Sequence, residues 1–267
     1  MLSYVPVFLV LGSCAGFLAG LLGVGGGLII VPVLVWVFEH ANVAPVHALH
    51  LALGTSLASI LFTSTSSIRG HHARSAVDWQ ILRSISPGIL IGTYSGAMLA
   101  SRISSVGLKW FFVVFACVVS VQMLMNAKPK PEKILPGVLG MFAWGAMIGV
   151  VSSMVGIGGG SLSVPFLLWC SVPIHRAVGT SAAIGFPIAF AGAVGYVVSG
   201  TGVSGLPDGA VGFVYIPALA AISLSSMLTA GWGARVAHAL PVIKLKRAFA
   251  GLLLLMAIKM LMSLLLQ

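Results

Sequence analysis

The sequence predicts an all-α polytopic membrane protein made of two inverted-topology repeats. Each repeat holds a glycine-broken helix pair with one short member, then three full spans, giving about eight full and two short transmembrane helices. Three observations carry this expectation. Of 267 residues, 59% are hydrophobic and only 7% charged, where a soluble domain carries about 25% charged residues. One unusual stretch occurs twice, as GFLAGLLGVGGGLIIVPVLVW from Gly16 and GVVSSMVGIGGGSLSVPFLLW from Gly149. Gly23/Gly156, Gly27/Gly160, Pro32/Pro165 and Trp36/Trp169 all pair at one offset of 133, so half the chain reads as an internal duplication. Third, the basic loops of the two halves fall at non-equivalent positions, as expected when equivalent loops face opposite sides of a bilayer.

Tyr4 to Leu22 is apolar, long enough to span, and ends at the first glycine break. Leu28 to Phe38, with Pro32 near its start, covers about half a span. A polar loop follows from Glu39 to His47. His50 to Ser67 is a span rich in hydroxyls, among them Thr63, Ser64 and Ser67, and Arg69 to Asp78 is a basic loop. Ile81 to Ala100 spans, with Gly88, Gly92, Ser95 and Gly96 spaced for close helix contact. Lys109 to Met125 closes the first repeat, residues 1–126. The Pro- and Lys-rich segment 127–133 is the linker, and residues 134–267 form the second repeat. There the expected spans are Ile134 to Val155, the short Ser161 to Cys170, Ala177 to Ser199, Ala210 to Thr229 and Leu245 to Leu266.

Loop charge gives the orientation. In the first half the basic loops carry Arg69, Arg74, Lys128, Lys130 and Lys133; in the second, the basic segment runs from Arg235 to Arg247. Its counterpart in the first half is the Arg102 to Leu108 loop, on the other side. This pattern puts the linker in the cytoplasm and both termini outside. The first basic residue is Arg69, so the N-terminus lacks the basic region of a cleaved signal peptide.

The chemistry is expected at the two breaks. Each glycine in a helix costs roughly 1 kcal/mol, and backbone freed at bilayer depth must find partners or line a wet cavity. A broken helix presents N–H groups and a positive dipole end, which suit an anion. The candidate binding residues are therefore Gly25, Gly26 and Gly27, with Gly158, Gly159, Gly160 and Ser161. The alternative for these glycines is close helix packing. A second repeated element, H-x-A-x-G-T-S, adds His50, Thr55 and Ser56, and His175, Thr180 and Ser181. Its hydroxyls can face a cavity or bond their own helix carbonyls; its imidazoles can donate to an anion or sit at the interface.

All four carboxylates (Glu39, Asp78, Glu132, Asp208) fall in loops or at their edges, which disfavours carboxylate proton relays and sodium sites. The net charge of +10 is explained by cytoplasmic loops and implies no nucleic-acid partner. Cys14, Cys117 and Cys170 lie in apolar runs and suggest neither disulfides nor metal. His71-His72 alone does not make a metal site, GVGGG matches no nucleotide motif, and no protease motif occurs. The expected partners are a small anion and the lipid bilayer, with no cofactor, and a homo-oligomer is left open. A transporter, a facilitative anion channel and a non-transporting membrane assembly protein or enzyme are the competing functions.

The paired GxGGG-x4-P blocks, the two GTS motifs, Val77-Asp78-Trp79, and Gly233-Ala234-Arg235 with Leu240-Pro241 and Leu245-Lys246-Arg247 resemble the sulfite exporter TauE/SafE family. The resemblance covers nearly the whole chain. It implies a bacterial inner-membrane permease for small sulfur-containing or carboxylate anions. Ser153 stands where the first copy has Gly20, so the two breaks are not equivalent.

Overall fold

The computed structural model describes residues 4–22, 26–125, 134–236 and 242–265. Among them ten helices follow the chain: α1 (Val5–Leu22), α2 (Gly27–His40), α3 (Ala48–His72), α4 (Trp79–Ala100), α5 (Ser105–Leu124), α6 (Val138–Val155), α7 (Gly160–Trp169), α8 (Ile174–Gly200), α9 (Ile216–Val236) and α10 (Val242–Leu265). A hairpin of two-residue strands, β1 (Ala210–Val211) and β2 (Val214–Tyr215), precedes α9. The expected all-helical character holds apart from this hairpin.

The helices start and stop where local chemistry directs. Asp78 caps α4, its carboxylate accepting from the amides of Gln80 and Ile81 at 3.1 and 3.2 Å. Ser104 caps α5 through the Gly107 amide. Gly156 ends α6 in the left-handed conformation (φ 71°) that favours glycine. Gly26 opens α2 in the same region (φ 72°).

Among the described residues five helices are long and apolar enough to cross a bilayer: α3, α5, α6, α8 and residues 216–233 of α9. In the most apolar windows of α3 and α8, 72% and 61% of residues are buried, against 39–44% for α5, α6 and α9. So α3 and α8, packed on each other, form the centre of the molecule. The others turn apolar stripes outward. Trp110, Val114, Val118 and Val121 on α5, and Leu224, Leu228 and Trp232 on α9, are exposed at helical spacing, the pattern of a lipid-facing surface.

Packing exchanges elements between the halves. α1 lies along α9, and α6 lies along α4; α2 packs on α3 and α7 on α8; α5 packs on α10. Small residues make the first two contacts possible, as the spacing predicts. A Cβ on Gly88 or Gly92 would sit 2.1 or 2.2 Å from the carbonyls of Phe142 or Ala146, and one on Gly12 or Gly16 would meet the Ile222 or Ser226 carbonyl at 2.5 or 2.4 Å.

Several boundaries differ from expectation. α3 continues through Arg69 to His72, so the loop before α4 is only residues 73–78. The expected span Ala210–Thr229 begins with the hairpin, because Gly209 and Gly212 take positive φ (85° and 54°) and turn the chain before the helix starts. α4 has the length of a span at 22 residues but is not among the five that are also apolar enough. Gln80, Arg83, Ser84, Ser86 and Ser95 lower its hydropathy. The linker 127–133 lies outside the described residues.

Candidate functional site

The two glycine breaks meet. A Cβ on Gly27, the first residue of α2, would lie 2.2 Å from the Gly156 carbonyl oxygen and 2.9 Å from Ile157 Cα. The Ser56 hydroxyl of α3 donates to the Gly156 carbonyl at 2.8 Å. The same break is tied from the other central helix: Ser181 of α8 hydrogen-bonds Ser163 at 2.9 Å, and Ser163 donates to the Gly159 carbonyl. Both central helices thus hold the second break through serines of the repeated GTS element.

Helix geometry then sets what the breaks offer. In α7 the first intrahelical donors are the amides of Leu162 and Ser163, both on the Gly159 carbonyl. The amides ahead of them have no partner in the helix. In α2 the amides of Ile29 and Ile30 reach back to the Gly26 carbonyl in the same way. α7 has ten residues, about 15 Å at 1.5 Å per residue, or half of a hydrocarbon core about 30 Å thick. Each N-terminus carries the equivalent of roughly half a positive charge; the α2 end meets Gly156, the C-cap of α6, and α7 begins at Gly160 a few residues further on.

Beside the second break is a small void of about 10 Å³, lined by Thr63, Ser64, Ser67, Gly158, Gly159 and Gly185 together with Ala19, Ile60 and Ala182. It holds about one water. Thr63 and Ser64 donate back to the Ser59 and Leu61 carbonyls of their own helix, and Thr63 also pairs with Ser226 at 2.7 Å. Ser67 is buried with no hydrogen-bond partner among the described residues, and so is Ser161, in the first turn of α7. Buried hydroxyls are normally satisfied. Thr93, Ser120, Ser152 and Ser223 are unpartnered too, but only Ser67 also lines the void.

The sequence-predicted residues separate into groups. Gly158 and Gly159 line the void, Gly160 and Ser161 are buried beside it, and Gly26 and Gly27 form the facing break; Gly25 lies outside the described residues. Ser56 and Ser181 both hold the second break. Thr55 and Thr180 have a different task. The Thr55 hydroxyl accepts from the Tyr215 amide at 2.9 Å, and Thr180 accepts from the Asp78 amide at 2.9 Å. Each fastens the start of the fourth helix of the other half, α9 and α4 respectively. His50 and His175 are far from equivalent. His50 is buried, its Nε2 facing the carbonyls of Ala100 and Ile103 at 3.2 and 3.1 Å. His175 is exposed in the first turn of α8. Sequence reasoning missed Ser67 and Ser163 as site residues. The hydroxyl-rich run of α3 was the available signal for Ser67.

No metal-binding cluster occurs among the described residues, and no carboxylate lines the void. Glu39 is paired with Lys109 at 2.5 Å, and Asp78 caps α4 and faces Arg176 at 3.8 Å.

A helical chain with outward apolar stripes, and with two glycine breaks brought into contact between its halves, is built as a multi-pass membrane transporter. The chain belongs to the sulfite exporter TauE/SafE family, whose model matches residues 8–260. It is 35% identical to a "Probable membrane transporter protein" of Haemophilus influenzae over 97% of this chain and 99% of that protein. It is 30% identical to "Probable membrane transporter protein YunE" of Bacillus subtilis over 73% of this chain and 78% of that protein. The similarity to B. subtilis YdhB, which carries the same description, is 26% over 90% and 96%. No solved structure matches the chain.

Proposed function

We propose that the protein moves a small anion, sulfite or an organosulfonate, across the bacterial inner membrane by alternating access between two inverted repeats. The observation that carries this reading is the α2 N-terminus meeting the second glycine break at Gly156 and Ile157, just ahead of α7, beside a void lined by an unpartnered Ser67 and by no carboxylate. Amide donors left free at the first turn of a broken helix, with its positive dipole end, favour an anion. With no acidic side chain in the lining, a cation has nothing to neutralise it.

Reciprocal contacts support the inverted arrangement. Gly54 presses on the Phe213 carbonyl, and Gly179 presses on the Ala76 carbonyl, at 2.2 and 2.4 Å from the added Cβ. Thr55 to Tyr215 and Thr180 to Asp78 repeat the exchange. On this reading eight helices cross fully and α2 and α7 are the short members. The repeats are residues 1–126 and 134–267, with the 127–133 linker cytoplasmic and both termini periplasmic. The void is near the one-water limit, so a larger oxyanion enters only when α3 and α8 part, which is the motion of halves that alternating access requires.

Counterflow in proteoliposomes tests the mechanism. Preloading with unlabelled sulfite should accelerate uptake of labelled sulfite. Uptake without that stimulation would indicate a channel, and no uptake of sulfite or organosulfonates would remove the substrate assignment.

A further inference from the structure

A second cavity, of about 710 Å³, opens between the α2–α3 and α4–α5 connections. That volume is in the range of small-molecule sites. Its lining includes Glu39, His47, His50, Arg102, Ser105 and Lys109. Lys109 is 4% exposed and its ammonium bonds the Glu39 carboxylate at 2.5 Å. Among the described residues no carboxylate lies within ion-pair distance of Arg102. Ser105 donates to the Val46 carbonyl at 2.5 Å, joining the two connections at the rim. The cavity is therefore lined by two cations, of which Lys109 is buried, and two imidazoles, against one carboxylate that is already engaged.

The cavity is also in line with the central breaks. Glu39 stands near the end of α2, whose first residue Gly27 touches the opposite break. His50 precedes Ser56, which holds Gly156, by six positions of α3, or about 9 Å. The Glu39–Lys109 pair fastens the α2 end of the broken hairpin to α5. An anion on Lys109 replaces Glu39 there and so releases α2.

We propose that this vestibule is a docking site for the transported oxyanion on the face opposite the basic loops, with Arg102 and Lys109 as its cationic contacts and Glu39 as the carboxylate the anion displaces. The proposal rests on the anion-transport reading and adds a site to it.

The test uses the full-length protein in membrane vesicles of both orientations and in detergent, with sulfite as probe and sulfate as the comparison anion. Arg102→Gln should raise the KM for sulfite presented to the vestibule face about tenfold and leave the KM at the other face unchanged. Glu39→Gln should lower the vestibule-face KM several-fold, because the competing carboxylate is gone. In detergent, the thermal shift induced by sulfite should shrink in Arg102→Gln and grow in Glu39→Gln. Equal stabilisation of both variants and wild type, with unchanged KM at both faces, overturns the docking site and leaves transport intact. If the wild type carries no sulfite yet its sulfite-induced stabilisation is lost in Arg102→Gln, the vestibule site stands and the transport substrate is wrong. Stabilisation by sulfate equal to that by sulfite, without sulfate transport, assigns the vestibule to inorganic oxyanions in general and overturns its role as a substrate station.

Discussion

Gly27→Ala is the sharpest perturbation of the contact between the two breaks. The new methyl carbon would lie 2.2 Å from the Gly156 oxygen, 2.9 Å from Ile157 Cα and 3.0 Å from Ile60 Cδ1. The first two are backbone atoms of the other half and cannot rotate aside. Overpacking of this kind costs about 1–3 kcal/mol. Removing a glycine from a helix returns at most about 1 kcal/mol, and less at a first position. A net loss of about 2 kcal/mol corresponds to a lowering of the melting midpoint of roughly 4–8 °C for a chain of this size. Gly251→Ala is the matched control, because nothing lies within 4 Å of a Cβ built there, inside α10. The assay is thermal melting of purified protein in detergent, paired with initial sulfite uptake in proteoliposomes. Gly27→Ala should melt below wild type and transport poorly, while Gly251→Ala should melt at or above wild type and transport normally. If Gly27→Ala melts with the control and transports at the wild-type rate, the breaks do not touch and the site is not between them.

Three other outcomes follow from the same geometry. Ser67→Ala removes a buried hydroxyl that has no partner, so stability should hold or rise by up to about 1 kcal/mol, while sulfite affinity falls about tenfold; a melting curve and a KM measured together check the split. Thr55→Val and Thr180→Val each strand a backbone amide, of Tyr215 and Asp78 respectively, and should each cost about 1–3 kcal/mol; Thr→Ser at either position should restore the midpoint. Lys109→Met leaves Glu39 without its ammonium and should lower the melting midpoint, and Lys109→Met with Glu39→Gln should recover most of it, because the uncompensated charge is gone.

Much of the fold was legible because it is written in local signals. The paired glycine blocks located both helix breaks to within a residue. Gly88, Gly92 and Gly96 announced a close helix contact, and the structure supplied the partner, α6. The hairpin before α9 was hidden by an apolar run, although Gly209 and Gly212 were the residues that turn the chain there. Legibility of the site ended where long-range partners begin. Thr55 and Ser56 are neighbours on α3 with the same hydroxyl chemistry, yet one fastens the Tyr215 amide and the other the Gly156 carbonyl. Those partners are 160 and 100 residues away, and no local pattern specifies them. Ser67 was one hydroxyl in a run of eight, and only burial without a partner separates it from Thr63 and Ser64, which bond their own helix.

The most direct measurement is an experimental density map of the protein saturated with selenite, a heavier analogue of sulfite. An anion is expected within hydrogen-bond reach of the Gly159 amide and the Ser67 hydroxyl, beside the contact of the two breaks. A map from protein that transports selenite, with nothing at that position and the two glycine segments in dry contact, would contradict it.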